Sequence, residues 1–134
     1  MTTSRRALRK FRSKKLPGFT LVEMLVVIAI IGLIAGLVGP RVLNYVSDSR
    51  ERTAEIQMIA LSNALDLFYI DVGRYPSNTE GLEALVQAPG GVSAWNGPYL
   101  KDGVVPADPW GQAYVYEISS PGGPYELSAP GADG

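Results

Sequence analysis

The chain has 134 residues, 46% of them hydrophobic, with no cysteine and no histidine, which leaves room for one small domain plus a membrane segment. Without cysteine there is no disulfide staple, and without histidine Ser-His and Cys-His nucleophilic chemistry is absent along with the commonest metal ligand. Seven of the 12 Lys and Arg residues fall within residues 1–18 with no acid among them, so the remainder holds five basic against 13 acidic side chains, the wrong balance for a nucleic-acid-binding domain.

The basic cluster, Arg5 to Lys15, directly precedes an apolar run. Lys and Arg resist translocation, so such a cluster holds the N-terminus in the cytoplasm and places the chain beyond the span on the outer side. Phe19 to Val38 supplies 20 residues, enough for the roughly 30 Å hydrocarbon layer. A cleaved secretory signal would need small residues at a cleavage site after the apolar core. Neither Ala35-Gly36-Leu37 nor Val38-Gly39-Pro40 offers a good one.

Glu23 interrupts this run. A charged side chain in the bilayer costs about 2.5–3.5 kcal/mol on insertion scales, so a compensating partner is expected. The alternative is a carboxylate near a helix N-terminus, favoured by the dipole by about 0.3–1 kcal/mol with no partner. Further along, Gly32, Gly36 and Gly39 lead into Pro40, which lacks the N–H that would bond the Gly36 carbonyl. This predicts a kink or melted turn, or else close helix packing of the small-xxx-small type.

Beyond the span, Val42, Val46, Ile56, Ile59, Ala60, Ala64, Leu67 and Phe68 recur at steps of three and four, with Leu61 and Leu65 widening the stripe. The spacing predicts one amphipathic helix continuing the membrane helix from Phe19 to Val72, about 80 Å if unbroken, stopped at Gly73 with Pro76 just beyond. Ser77-Asn78-Thr79-Glu80 has capping-box spacing, and Leu82, Leu85 and Val86 predict a two-turn helix ended by Pro89. Residues 88–98 read as a Gly/Pro loop. Tyr114 to Ile118 and Tyr125 to Ser128 read as two strands joined by a turn at 119–124. The aromatics Tyr99, Trp110, Tyr114 and Tyr116 are expected to fill the core between sheet and helix. The fold class is therefore α+β: a long N-terminal helix, half membrane-spanning and half amphipathic, on a short helix and a small antiparallel sheet.

Pro17-Gly18-Phe19-Thr20-Leu21-Val22-Glu23 resembles the processing signal of type IV pilins and pseudopilins. Arg74-Tyr75-Pro76, Gly97-Pro98-Tyr99-Leu100 and Asp108-Pro109-Trp110-Gly111 in this order resemble, more narrowly, the major pseudopilin family of type II secretion systems. The resemblance covers nearly all of residues 16–134. It implies a type IV pilin-like fold in three parts: a basic leader at 1–18 that is cut off, a transmembrane and polymerisation helix at 19–40, and an extracytoplasmic globular domain at 41–134.

It further implies that a prepilin peptidase cuts between Gly18 and Phe19 and N-methylates Phe19, and that Glu23 of one subunit meets the Phe19 ammonium of its neighbour. Residues Gly32, Gly36, Gly39 and Pro40 would act as a hinge in filament packing. The implied function is structural rather than enzymatic: a homopolymer in the periplasm, anchored in the bacterial inner membrane before assembly, that drives folded proteins through the outer membrane. The implied partners are minor pseudopilins, the prepilin peptidase and the inner-membrane secretion platform, with no nucleic acid. The family binds calcium in a C-terminal loop. Ser128 to Gly134 resembles the start of that loop, and Asp133 matches one ligand, while the later acidic pair is missing from this sequence; an exposed terminal Asp is the alternative. Two other functions remain open: another pilin-like filament, such as a surface pilus or DNA-uptake pseudopilus, and a single-pass anchored binding domain.

Overall fold

The computed structural model describes residues 17–133, apart from the side chain of Asp133. Most of the basic leader expected at 1–18 lies outside the described residues. The elements in order are helix α1 (Leu21–Val72), a 3-10 helix (Leu82–Leu85), strands β1 (Val115–Ile118) and β2 (Tyr125–Ser128), and a 3-10 turn (Gly131–Asp133). This is the α+β arrangement expected from the sequence.

Helix α1 begins at Leu21, two residues later than the apolar run suggests, because Thr20 takes the capping position rather than joining the helix. From Leu21 to Val38 no side chain is buried, and the helix is long and apolar enough to cross a membrane. The expected melted turn at 32–40 is not present: α1 is helical throughout with Pro40 inside it. Proline removes one backbone bond, and the bonds of the flanking turns remain.

The described residues divide into two compact units, one ending at Arg41 and the other beginning at Val42. In the second, α1 buries Ala54, Leu61, Ala64, Leu65 and Phe68. Leu61, Leu65 and Phe68 are fully covered, joined by Leu82, Ala84, Leu85 and Tyr114 in one core. The predicted stripe is thus only partly right. Val42, Val46, Ile56, Ile59 and Leu67 are exposed, since at 100° per residue Ile56, Ile59 and Leu67 point well away from Leu61. The helix carries two apolar faces, and the head covers one.

The helix stops where expected. Gly73 adopts φ 81°, which an L side chain resists, and its N–H bonds the Tyr69 carbonyl at 2.7 Å. The predicted two-turn helix is instead the single 3-10 turn Leu82–Leu85, tied down by the Tyr99 N–H to the Leu85 carbonyl (2.7 Å) and the Trp95 indole to the Ala84 carbonyl (2.7 Å). Those two bonds draw the 87–103 segment across this turn. At Gly97 a Cβ would overlap the Trp95 ring, so the indole occupies the space that only glycine leaves.

Strands β1 and β2 pair antiparallel, Val115 opposite Ser128 and Ile118 opposite Tyr125. Ser120-Pro121-Gly122-Gly123 closes the hairpin, with Gly122 at φ 77° and the Gly123 N–H on the Ser120 carbonyl (2.9 Å), the pattern of a type II turn. On the other side of β1, Asn78 occupies both backbone groups of Ile118, donating to its carbonyl (2.9 Å) and accepting its N–H (2.8 Å). Of the aromatics expected in the core, Tyr114 is buried, while Tyr99, Trp110 and Tyr116 are half-buried.

Candidate functional site

Gly18, Phe19 and Glu23 lie at the entry to α1. Gly18 and Phe19 are exposed and non-helical, so the peptide bond between them lies in accessible, irregular chain ahead of the first helical residue. Such chain can enter a protease cleft without unwinding a helix. Four residues on, Glu23 forms a reciprocal pair with Thr20: its carboxylate accepts the Thr20 N–H at 3.1 Å, and its own N–H donates to the Thr20 hydroxyl at 3.2 Å. This is a capping box, satisfying two N–H groups that helix geometry leaves without partners. The Thr-x-x-Glu spacing was readable in the sequence, so Thr20 is a residue that the apolar reading of this run passed over. Among the described residues no cation lies within ion-pairing distance of Glu23.

A second box, Ser77 to Glu80, forms as the sequence predicts. Glu80 accepts the Ser77 N–H at 2.8 Å and donates its own to the Ser77 hydroxyl at 3.2 Å. Here the carboxylate also receives both guanidinium arms of Arg74, at 2.7 and 2.8 Å. Those bonds hold the Glu80 carboxyl down at about 2, against the opposing effect of burial. Arg74 is shifted upward, chiefly by the same hydrogen bonds. Burial pushes the Tyr116 phenol up to about 12, and its hydroxyl donates to the Pro76 carbonyl at 2.7 Å. The Arg74 to Glu80 segment is a fixed polar knot on the head.

Gly32, Gly36 and Pro40 fall at four-residue steps along the exposed part of α1, with Gly39 half-buried beside them. A Cβ at any of the three glycines would meet nothing within 4 Å. No contact among the described residues therefore requires glycine there.

Asp108 was visible only as part of the Asp-Pro-Trp-Gly motif. It is 4% exposed. One carboxylate oxygen accepts the N–H groups of Trp110 (3.1 Å) and Gln112 (2.7 Å), and the other accepts that of Gly131 (3.3 Å). Asp133 closes the turn that Gly131 begins, and its side chain lies outside the described residues. Calcium asks for six to eight oxygen ligands. Among the described residues no three acidic, His or Cys side chains are grouped to hold an ion, and Asp108 is already committed to amide donors. The described residues do not fit a calcium cage.

Residues 41–134 match the family model for type II secretion system protein G, and residues 15–39 match the prokaryotic N-terminal methylation motif. The type II secretion system core protein G of Pseudomonas aeruginosa is 41% identical over 87% of this chain and 84% of its own length. That of Vibrio cholerae is 37% identical over 92% and 85%. Among solved structures, the major pseudopilin of the type 2 secretion system of enterohaemorrhagic Escherichia coli superposes with a TM-score of 0.57 at 27% identity, covering 69% of this chain and 82% of that one. The two-strand sheet and long helix are thus those of the type IV pilin-like fold, and the chain belongs to the type II secretion system protein G family, a family of structural pseudopilins.

Proposed function

We propose that this chain is the major subunit of a type II secretion pseudopilus, held in the bacterial inner membrane by residues 19–40 and polymerised through them into a periplasmic filament that moves folded proteins through the outer membrane. A single observation supports the reading: an uncovered apolar segment, Leu21 to Val38, whose one carboxylate, Glu23, stands four residues after Phe19. Cutting between Gly18 and Phe19 removes the seven basic leader residues and leaves an α-amine with a reference pKa of about 7.7–8.0. In the polymer, the Phe19 ammonium of one subunit offsets the Glu23 carboxylate of the next, so one contact answers two desolvation costs.

The prepilin peptidase is the processing partner. Minor pseudopilins and the inner-membrane secretion platform are the assembly partners. The role is structural, and nothing in the reading calls for catalysis. Gly32, Gly36, Gly39 and Pro40 are where the helix would bend as lipid contacts give way to neighbouring helices. The exposed strip Ile56, Ile59, Leu67 and Ile70 offers those neighbours a second apolar surface, in keeping with an open helical polymer built from one repeated heterologous contact.

The test is mass spectrometry of the membrane-extracted protein. A chain beginning at N-methylated Phe19 is the expected result; an intact leader in cells with an active peptidase would indicate a plain membrane anchor and overturn the reading.

A further inference from the structure

We infer that Asp108 is a positioning residue that latches the C-terminal turn without a metal ion, its carboxylate gathering the backbone around Gly131 as a bound cation would otherwise gather carboxylates. The turn Gly131–Asp133 has little apolar material of its own, and Gly131, at φ 73°, holds a conformation that is available to glycine at small cost. What fixes it is polar. Asp108 accepts the Gly131 N–H at 3.3 Å, and the Gln112 side-chain amide donates to the Gly131 carbonyl at 3.1 Å, so both backbone groups of one residue are held from a segment 19 to 23 positions earlier.

Asp108 and Gln112 are themselves locked together. The Asp108 N–H bonds the Gln112 carbonyl at 2.8 Å, the Gln112 N–H returns to the Asp108 carboxylate at 2.7 Å, and Ala107 bridges Ala113 alongside. A carboxylate bearing three N–H donors at 4% exposure is compensated by directed amide dipoles, and hydrogen bonds to a charged group are the strong ones. Each carboxylate oxygen is already engaged, which is the arrangement of an anion serving as the organising centre of a loop rather than as a ligand held in reserve for an ion.

The test is hydrogen–deuterium exchange on the full chain in detergent micelles, read at the Gly131, Trp110 and Gln112 amides in EDTA and again with millimolar calcium chloride. In wild type the Gly131 amide is expected to be protected in EDTA, and calcium is expected to change its rate by less than about twofold. Asp108→Ala should accelerate exchange at Gly131 by about tenfold or more. Should that variant loosen the whole head, the Leu65 amide will accelerate too, and Asp108→Asn then decides: one acceptor oxygen is left for three donors, so Gly131 should exchange fast while Leu65 stays protected. Gln112→Ala, which keeps its backbone bonds, should accelerate Gly131 less than Asp108→Asn does. A Gly131 amide unprotected in EDTA and protected by calcium would overturn the latch, as would one indifferent to every Asp108 variant.

Discussion

Glu23 and Glu80 sit in the same local frame and in opposite surroundings. Each closes a reciprocal box with a hydroxyl residue three positions earlier, Thr20 or Ser77, at bond lengths of 2.8 to 3.2 Å. Around Glu80 the chain supplies a bidentate guanidinium, and the carboxyl titrates at about 2. Around Glu23 the described residues supply no cation, and the stretch it opens, Leu21 to Val38, is bare apolar surface. A capping box satisfies backbone donors in both places, but it neutralises charge in neither. Charge compensation has to come from elsewhere: from Arg74 six residues away for Glu80 and, in the filament proposed above, from another subunit's new terminus for Glu23.

The largest expected effect comes from removing the unpaired member. Glu23→Ala should leave membrane insertion and leader cleavage near wild type while lowering filament yield at least tenfold, measured by shearing and immunoblotting; wild-type yield would remove the need for an intersubunit partner. Arg74→Ala strips Glu80 of its cation and should cost the head about 1.5–3 kcal/mol, the usual range for hydrogen bonds to charged groups, less whatever solvent screening already removes. Thermal melts of the full chain in detergent would read it, with assembly of the surviving protein unchanged.

The acid limb of the pH response has its origin in the Arg74–Glu80 pair. Glu80 ionises far more readily in the folded head than at its ordinary value of 4.5, so its contribution is complete above about pH 4.5 and is lost as pH falls towards 2. Tyr116 shifts the other way: its contribution is complete below pH 10 and is lost as pH rises through about 12. Tryptophan fluorescence across both limbs should show the acid limb flattened in Arg74→Ala. The smallest effect is that of Thr20→Val, which removes the hydroxyl acceptor at the helix start and should cost about 0.5–2 kcal/mol of local helix stability, visible as faster amide exchange at Glu23.

Features set by local chemistry were legible in the sequence. Strand β2 was readable to the residue, β1 to within one, and the helix stop at Gly73 rests on a left-handed cap that glycine supplies. Which face of α1 is buried was not legible, because Ile59 and Leu61 are equally apolar and only the placement of Leu82, Leu85 and Tyr114 chooses between them. The 82–85 segment carried a helical pattern too, yet the bonds from Trp95 and Tyr99 that fix its single turn come from 11 or more residues downstream. At the site, Phe19 and Glu23 stand out because a charge in an apolar run is conspicuous. Asp108 does not, since its meaning depends on Gly131, a residue that no local spacing connects to it.

The contact between Glu23 and a neighbour's terminus is most directly measured in filaments assembled from a mixture of subunits labelled uniformly with 15N and subunits labelled uniformly with 13C, by magic-angle-spinning NMR. A cross-peak between the Phe19 α-nitrogen and the Glu23 carboxylate carbon can then arise only between subunits. The account predicts that peak in the mixed filament. Its absence there, in a filament whose intersubunit helix contacts are otherwise seen, would contradict the pairing.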